Sequence, residues 1–199
     1  MHQQPKICGI VLAAGRSQRF GQDNKLLEPL SNGLPLIIQA VRNMRSAIEN
    51  IIVILPQNSK ALTQSLKDED VQIAINPEAD VGMGNSLACG ISASGEANGW
   101  IIGLADMPWI QAATISQIKT SLQNGQSLVA PRYRTVRGHP VGFGQKYRDT
   151  LLKLDGDAGA RTVLKQHRAD LHYLEVDDPG ILLDVDTPAD LKHQVMFNF

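Results

Sequence analysis

At residues 7–27 the sequence reads ICGIVLAAGRSQRFGQDNKLL, in which an apolar run of strand character ends abruptly in a glycine-containing loop. The Ala-Ala-Gly turn lets the backbone bend tightly and approach a ligand, and successive backbone N–H groups of such a loop can hold phosphate oxygens. Arg16, Arg19 and Lys25 then supply positive charge. The stretch predicts a strand followed by a phosphate-binding loop, although a tight strand-to-helix turn with solvated cations would use the same residues.

Apolar, β-branched runs alternate with segments of helical period along the rest of the chain. Because these runs are apolar almost throughout, helices should cover both faces of the sheet that they form. The alternation predicts an α/β fold in a single domain, residues 1–199, with a mostly parallel central sheet and ligands bound beyond the carboxyl ends of its strands. The predicted strands are residues 7–12, 51–55, 71–75, 100–104, 127–130 and 171–176, and the predicted helices are residues 35–46, 59–66, 84–94, 111–123, 146–153, 158–166 and 188–195.

The composition favours a small-molecule partner. The chain has 199 residues, 43% hydrophobic and 20% charged, which is enough to bury one substantial core. Its 19 basic and 20 acidic residues are scattered, so no basic field exists to hold a nucleic-acid backbone. No signal segment or run of about 20 apolar residues is present, so we expect a cytoplasmic protein that binds neither nucleic acid nor membrane. Cys8 and Cys89 lack the spacing of a zinc site and are predicted to be small buried residues.

Acidic residues follow two of the apolar runs. Asp106 comes two residues after the run at residues 100–104, where its carboxylate could hold Mg²⁺ against phosphate oxygens or bond its own turn. Asp184 and Asp186 lie two residues apart and therefore on one face of an extended chain. Asp186 is a candidate to join Asp106 around a metal, with a solvated turn as the alternative.

Other polar residues of these regions have structural explanations. Thr187 and Asp190 fit a helix-capping box, with Asp190 reaching back to the start of the helix. In LDGDAGAR, residues 154–161, Asp157 is a plausible helix cap and Arg161 lies one turn into the helix.

Two glycine-containing segments complete the candidate site. In NPEADVGMGNSL, residues 76–87, Gly82 allows a flat ring to lie against the backbone and Ser86 could bond a base edge, but a flexible helix entry is the default interpretation. RYRTVRGHPVGFG, residues 132–144, brings arginines and His139 to a glycine-bearing loop that suits a phosphorylated acceptor or, alternatively, a solvated basic surface. Residues 131–159 as a whole are predicted to lie over the site instead of in the core.

In this order, LAAGRSQRFG, NPEADVGMGNSL, LADMP, RGHPVGF, LDGDAGAR and DVDTPADL resemble the MobA-like nucleotidyltransferases and, within that family, the molybdenum cofactor cytidylyltransferases. The likeness extends from about residue 7 to residue 191. It implies a three-layer, Rossmann-like nucleotidyltransferase fold. It also implies Mg²⁺-dependent transfer of CMP from CTP to molybdopterin cofactor with release of pyrophosphate, and a molybdenum hydroxylase is a candidate recipient of the product.

The resemblance also assigns roles to individual residues. Residues bordering the base and ribose would be Leu12, Ala13, Ala14 and Gly15, with Gly82 and Ser86 facing the base. Arg16, Arg19 and Lys25 would hold the triphosphate, while Asp106 and Asp186 would bind the metal. Arg137, Gly138 and His139 would lie towards the acceptor.

Some alternatives stay open at this point. The loop reads LAAG, as in the cytidylyl branch, where the guanylyl branch has LAGG, so CTP is favoured over GTP as the substrate. Guanylyl transfer to the same cofactor, nucleotidyl transfer to another phosphorylated acceptor and a carrier that hands the cofactor on without turnover are the other candidates. Nicotinamide redox chemistry is disfavoured, because neither G-x-G-x-x-G nor the Walker motif G-x-x-x-x-G-K-[ST] is present.

Overall fold

A computed structural model of the chain describes residues 5–14, 24–157 and 159–191. Within these residues the strands are β1 (Ile7–Leu12), β2 (Asn50–Pro56), β3 (Gln72–Asn76), β4 (Gly99–Leu104), β5 (Leu128–Tyr133), β6 (Val136–Arg137), β7 (Val141–Gly144) and β8 (Leu171–Glu175). The helices are α1 (Leu36–Arg45), α2 (Lys60–Ser65), α3 (Met83–Ala93), α4 (Ala112–Gln123), α5 (Arg148–Leu152) and α6 (Ala160–Gln166). The eight described strands form one sheet in the order β3-β2-β1-β4-β7-β5-β6, and β8 also pairs with β5.

The first four strands form the parallel part of the sheet that positions the site. β1 lies between β2 and β4 and is parallel to both, and β3 is parallel to β2. The chain therefore moves outward from β1 to β3 and then returns across β1 to form β4. In sheets of this kind a crevice opens at the carboxyl ends of the two strands where the direction reverses, which here are β1 and β4.

Helices cover both faces of the sheet, which explains why the central strands β1, β2 and β4 are apolar almost throughout. On one face, Ile37, Val41 and Met44 recur at helical spacing along α1 and pack, with α2 and α4, against the sheet. On the other face, α3 packs through Leu87 and Ile91, together with α5 and α6. The predicted three-layer α/β fold with a mostly parallel sheet is confirmed.

The segment from residue 131 to residue 159 differs from its prediction. β7 lies in the middle of the sheet, antiparallel to both β4 and β5, and Val141, Phe143 and Tyr147 are buried. The expectation that this segment lies outside the core is therefore wrong for residues 141–151. The sequence VGFG gave little strand signal, because two of its four residues are glycine and its position depends on pairing with strands distant in the chain.

The remaining predictions differ mainly at their ends. Residues 188–191 of the last predicted helix form a turn and the start of a 3₁₀ turn, and residues 192–195 lie outside the described part of the chain. Cys8 is buried as predicted, whereas Cys89 is only partly buried. Among the helices of the described residues, none has the length and apolar character needed to cross a membrane.

Candidate functional site

The crevice between β1 and β4 opens into a cleft of about 400 Å³. The predicted site residues that line it are Leu12, Ala13, Ala14, Lys25, Gly82, Ser86 and Asp106. Predicted residues Gly15, Arg16 and Arg19 lie outside the described part of the chain. The structure thus brings together, in one cleft, residues from four separate sequence segments.

Backbone hydrogen bonds extend β1 and β4 to the cleft floor. The Ala13 N–H group donates to the Ile54 carbonyl, and the Ala105 N–H group donates to the Leu12 carbonyl, each at 3.0 Å. Asp106 leaves the sheet one residue after this last bond. Its side chain therefore projects at the carboxyl end of β4, beside the turn that follows β1.

The ammonium group of Lys25 joins the two aspartates that were predicted to bind a metal. Lys25 Nζ donates to Asp106 Oδ2 at 2.9 Å, to the Val185 carbonyl at 2.8 Å and to Asp186 Oδ1 at 3.3 Å. The lysine side chain is 12% exposed, compared with 24% for Asp106 and 49% for Asp186. The bond to Asp186 is therefore the longest of the three and involves the more hydrated carboxylate.

Local structure fixes both sides of this cluster. The Asn24 side chain accepts a hydrogen bond from the Leu26 N–H group at 3.1 Å and caps the short 3₁₀ turn that carries Lys25. The Val185 N–H group donates to the Asp106 carbonyl at 2.9 Å, which ties the Asp186 segment to the loop after β4. Residues 25, 106 and 186 are thus held together by backbone bonds as well as by charge.

The charges of the cluster attract one another at Lys25 and repel one another at Asp184. Burial by itself would lower the pKa of Lys25, but hydrogen bonds to Asp106 and Asp186 and their negative charges outweigh it and raise the pKa above the ordinary lysine value. Partial burial raises the pKa of Asp184, and the charges of Asp186 and Asp106 act in the same direction. Lys25 therefore stays cationic at neutral pH and offsets part of the negative charge gathered here.

The donor set fits a hard divalent cation. Asp106 and Asp186 already converge on one cationic atom, and carboxylate oxygens are the ligands that Mg²⁺ takes in proteins. In the described residues no group of three or more His, Cys, Asp or Glu side chains could hold a metal ion.

One wall of the cleft is formed where α3 begins. Gly82 has φ of +150°, and a Cβ at this position would collide with the backbone of Gly156. The Gly84 N–H group donates to the Gly156 carbonyl at 2.8 Å, and Asn85 Oδ1 accepts from the Gly156 N–H group at 2.9 Å. The two glycine-containing motifs therefore dock backbone to backbone, and Asp157 beside them lines the cleft.

Ser86 lies on the first turn of α3 and is almost completely buried. Its Oγ accepts a hydrogen bond from Asn76 Nδ2 at 3.1 Å, and Asn76 Oδ1 accepts from the Glu78 N–H group at 3.0 Å. This network fixes the hydroxyl at the cleft wall, where its own proton can be donated to an acceptor in the cleft.

The predicted acceptor loop is held beside the aspartates by backbone contacts. The Gly138 N–H group donates to the Pro131 carbonyl and the His139 N–H group donates to the Ile181 carbonyl, each at 3.0 Å. A Cβ at residue 138 would collide with that Ile181 carbonyl, so only glycine fits. The peptide bond between His139 and Pro140 is cis.

His139 is neutral at physiological pH. Its Nδ1 atom is buried without a hydrogen-bond partner among the described residues. Desolvation and the positive charge of Arg137 lower its pKa to about 4, although the charge of Asp106 acts in the opposite direction. The side chain of His139 keeps some exposed surface, although this nitrogen is enclosed.

Arg137 is half-buried next to a second arginine. Burial lowers its pKa, and the nearby charge of Arg161 acts in the same direction while Tyr173 opposes it. Within the described residues no ion pair or hydrogen bond joins Arg137 to an acid, whereas Arg132, opposite it on β5, is paired with Glu175. A half-buried guanidinium group in this situation favours an anionic ligand.

The structure corrects one predicted cap and confirms part of another. Asp157 does not cap α6, because Gly159 occupies the N-cap position. Asp190 reaches back as predicted, since its Oδ2 accepts from the Thr187 N–H group at 2.7 Å, but the Thr187 hydroxyl bonds Asp190 instead of a backbone N–H group. Asp80 also lines the cleft, and its only sequence signal was its place two residues before Gly82 in the helix entry.

The fold and this cleft define a class, the nucleotide-dependent transferases with a Rossmann-like sheet. Residues 9–171 match the MobA-like NTP transferase domain. The match covers most of the chain, which therefore belongs to the MobA-like NTP transferase family. The family membership inferred from the sequence motifs is confirmed.

Curated relatives with several different names align with the chain. It is 29% identical over 192 residues to nicotine blue oxidoreductase of Paenarthrobacter nicotinovorans, covering 92% of this chain and 93% of the relative. It is 26% identical to the purine catabolism protein PucB of Bacillus subtilis, covering 94% and 95%. A molybdenum cofactor guanylyltransferase of Yersinia pestis is 27% identical over 142 residues, covering 69% and 67%.

Solved structures share the whole fold. Rv0371c of Mycobacterium tuberculosis superposes with a TM-score of 0.82 at 27% identity, covering 96% of this chain and 99% of that one. Its complex with manganese gives a TM-score of 0.80 at 25% identity, covering 98% and 99%. A nucleotidyl transferase from Methanothermobacter, at 24% identity and a TM-score of 0.82 with 94% and 95% covered, supports the fold.

Proposed function

We propose that this protein transfers CMP from CTP to the phosphate of molybdopterin cofactor, giving the cytosine dinucleotide form and pyrophosphate. The observation that carries the proposal is the convergence of Lys25, Asp106 and Asp186 at the cleft between β1 and β4. This arrangement combines a cation for phosphate oxygens with two carboxylates for a metal. Family membership supports nucleotidyl transfer as the reaction type.

The reaction asks little covalent chemistry of the protein. The acceptor phosphate is itself the nucleophile, so its oxygen forms the new bond to the α-phosphorus while the bond to the leaving pyrophosphate breaks. No side chain has to remove a proton. The protein instead has to align the two phosphates and neutralise their charge, which are the terms that dominate phosphoryl-type transfers.

Asp106 and Asp186 would hold Mg²⁺. When bound, the ion supplies neutralisation of the charge on the phosphate oxygens. The manganese complex of Rv0371c describes that relative, and it supports a divalent cation for this family member as well.

Lys25 would act on the leaving group. All three of its protons are engaged within the protein, so binding a phosphate oxygen requires it to give up one partner. The bond to Asp186 is the one most easily exchanged, because it is the longest and its carboxylate is the most hydrated. Arg16 and Arg19 are proposed to assist Lys25 from the loop after β1.

The base would lie between the β1 turn and the start of α3. Leu12, Ala13 and Ala14 provide an apolar floor. Gly15 is proposed to border the base and ribose, as the sequence resemblance implies. Gly82 is proposed to face the base through its backbone, because the space where its Cβ would lie is filled by Gly156. The Ser86 hydroxyl is fixed for a polar contact with the base. The second alanine of the LAAG turn, where glycine stands in the guanylyl branch, reduces the room beside the base and favours cytosine over guanine.

The acceptor would approach from the side of Arg137, Gly138 and His139. Arg137 has no acidic partner in the described residues and can bind the acceptor phosphate. Neutral His139 can contact the acceptor without adding charge. A molybdenum hydroxylase is proposed to receive the product.

Guanylyl transfer to the same cofactor is the second candidate, because a relative aligned over 69% of this chain is a molybdenum cofactor guanylyltransferase. Redox chemistry is a further candidate, because one aligned relative is named nicotine blue oxidoreductase. This chain lacks the dinucleotide-binding fingerprint, however. Oxidation of NADH or NADPH, followed by absorbance, tests that possibility directly.

Thermal unfolding with Mg²⁺ and each nucleoside triphosphate provides the first test. A ligand stabilises the native state by RT ln(1 + [L]/Kd), so CTP should raise the unfolding temperature more than GTP. A larger shift with GTP would favour the guanylyl alternative. Tight CTP binding without pyrophosphate release in the presence of the cofactor would favour a carrier instead of an enzyme.

A further inference from the structure

A single segment, residues 178–186, contacts the acceptor loop, the loop after β4 and Lys25. The Ile181 carbonyl accepts the His139 N–H group at 3.0 Å. Val185 is bonded through its N–H group to the Asp106 carbonyl and through its carbonyl to Lys25. Asp186 then completes the ion pair with Lys25. The position of this segment therefore sets the spacing between the acceptor loop and the aspartates.

The 178–186 segment is fixed at its start by Asp178, a carboxylate that is 1% exposed. Asp178 Oδ2 accepts from the Gln111 N–H group at 2.9 Å and from Thr114 Oγ1 at 2.7 Å. Asp178 Oδ1 accepts from the Gly180 N–H group at 3.0 Å. The buried carboxylate is thus satisfied by three donors, two of which belong to the start of α4.

The contacts of Asp178 with the start of α4 also lie close in space to the loop after β4. Gly180 packs against the Trp109 carbonyl, where a Cβ would collide, and Trp109 lies three residues after Asp106. The carboxylate of Asp178 occupies the N-terminus of α4, where negative charge is favourable. One end of α4 therefore positions both the Asp106 loop and the 178–186 segment.

We propose that Asp178 is a positioning residue, which holds Asp186 and the His139 loop in register with Asp106. The effect of Asp178 on catalysis rests on the proposed function, whereas its effect on the positions of Asp186 and the His139 loop does not. It predicts that loss of the Asp178 bonds loosens the metal and acceptor contacts while leaving the base-binding wall at α3 intact.

Asp178→Asn is the informative substitution. The amide has one accepting oxygen where the carboxylate has two, and donors face both positions, so at least one donor loses its partner in either orientation. Thr114→Val removes one of the three bonds and should give a smaller effect of the same kind. Val163→Ala, a buried change in α6 on the opposite face of the sheet, is the control for lost stability alone.

Two measurements need neither nucleotide nor acceptor. Amide hydrogen exchange should become at least tenfold faster at His139 and Val185 in Asp178→Asn, with Ala13 as the internal reference. Binding of Mn²⁺ alone, followed by electron paramagnetic resonance, should weaken at least fivefold. Val163→Ala should leave both quantities within twofold of the wild type.

Kinetics with the intact protein give the third readout. Asp178→Asn should raise the KM for molybdopterin cofactor at least fivefold and change the KM for CTP less than twofold. If exchange at His139 and Val185 and the affinity for Mn²⁺ stay within twofold of the wild type, the role of Asp178 is refuted. Failure of the wild type to transfer any nucleotide would refute the proposed function alone, because exchange and Mn²⁺ binding would still report on Asp178.

Discussion

Substitution of His139 by glutamine should change how the stability of the protein depends on pH. The folded state lowers the pKa of His139 from its ordinary value of 6.5 to about 4, chiefly through desolvation. Between these two pH values the unfolded chain binds a proton at this residue more readily than the folded one. The free energy of unfolding therefore falls as the pH drops through this window.

The size of the effect follows from the same values. One pKa unit corresponds to about 1.4 kcal/mol, so the wild type should lose about 2 to 3 kcal/mol between pH 7.5 and pH 4.5 because of His139. Glutamine does not titrate, and the contributions of all other groups cancel in the difference between the two proteins. The loss should therefore appear as a difference in the free energy of unfolding between wild type and His139→Gln that changes with pH.

Urea unfolding at pH 7.5, 6.5, 5.5 and 4.5 measures this difference in the free energy of unfolding. The stability of the wild type relative to His139→Gln should be constant above pH 6.5 and decrease steadily below it. A difference that stays flat to pH 4.5 would show that the imidazole is solvated in the folded protein. The assignment of His139 as a neutral, enclosed group beside Asp106 would then be wrong.

Three further substitutions test other parts of the site. Lys25→Met leaves Asp106 and Asp186 without their shared cation. It should lower the free energy of unfolding in urea by about 1–2 kcal/mol and slow pyrophosphate release about 100-fold. Near-normal release of pyrophosphate would exclude the role of Lys25 on the leaving group. Gly82→Ala should lower the free energy of unfolding in urea by at least about 2 kcal/mol, because it adds a collision with Gly156 to backbone strain. Gly125→Ala, which strains the backbone but whose new methyl group meets nothing within 4 Å, should lower it less. Equal losses would argue against the docking of residue 82 on Gly156. Arg137→Gln should raise the KM for the acceptor about tenfold without changing the KM for CTP. Arg132 is paired with Glu175, so Arg132→Gln should leave both KM values unchanged.

The sequence-based interpretation succeeded where a feature is local. Runs such as residues 7–12 and 100–104 are apolar at every position, so they predicted buried strands and a covered sheet without knowledge of pairing. Asp106 was found because it lies just beyond the end of a strand, and the carboxyl ends of parallel strands meet at one edge. The bond from the Thr187 N–H group to Asp190 was found because both residues lie within one turn of the chain.

It failed where a feature depends on distant segments. β7 is short and rich in glycine, and its central place comes from pairing with β4 and β5. Asp157 was interpreted as a cap because the docking of its neighbour Gly156 on α3 joins residues some 70 positions apart. The Asp178-Pro179-Gly180 sequence signals a turn, and the bond from Gly180 to Asp178 could have been predicted, but the bonds to α4 could not.

Identification of the product by mass tests the central claim most directly. Wild-type protein is incubated with Mg²⁺, molybdopterin cofactor and each nucleoside triphosphate in turn, with Asp106→Asn as the matched inactive variant. Wild-type protein with CTP should give a cytosine dinucleotide product and equimolar pyrophosphate, and Asp106→Asn should give neither. A guanine dinucleotide formed in preference, or full activity of Asp106→Asn, would contradict this prediction.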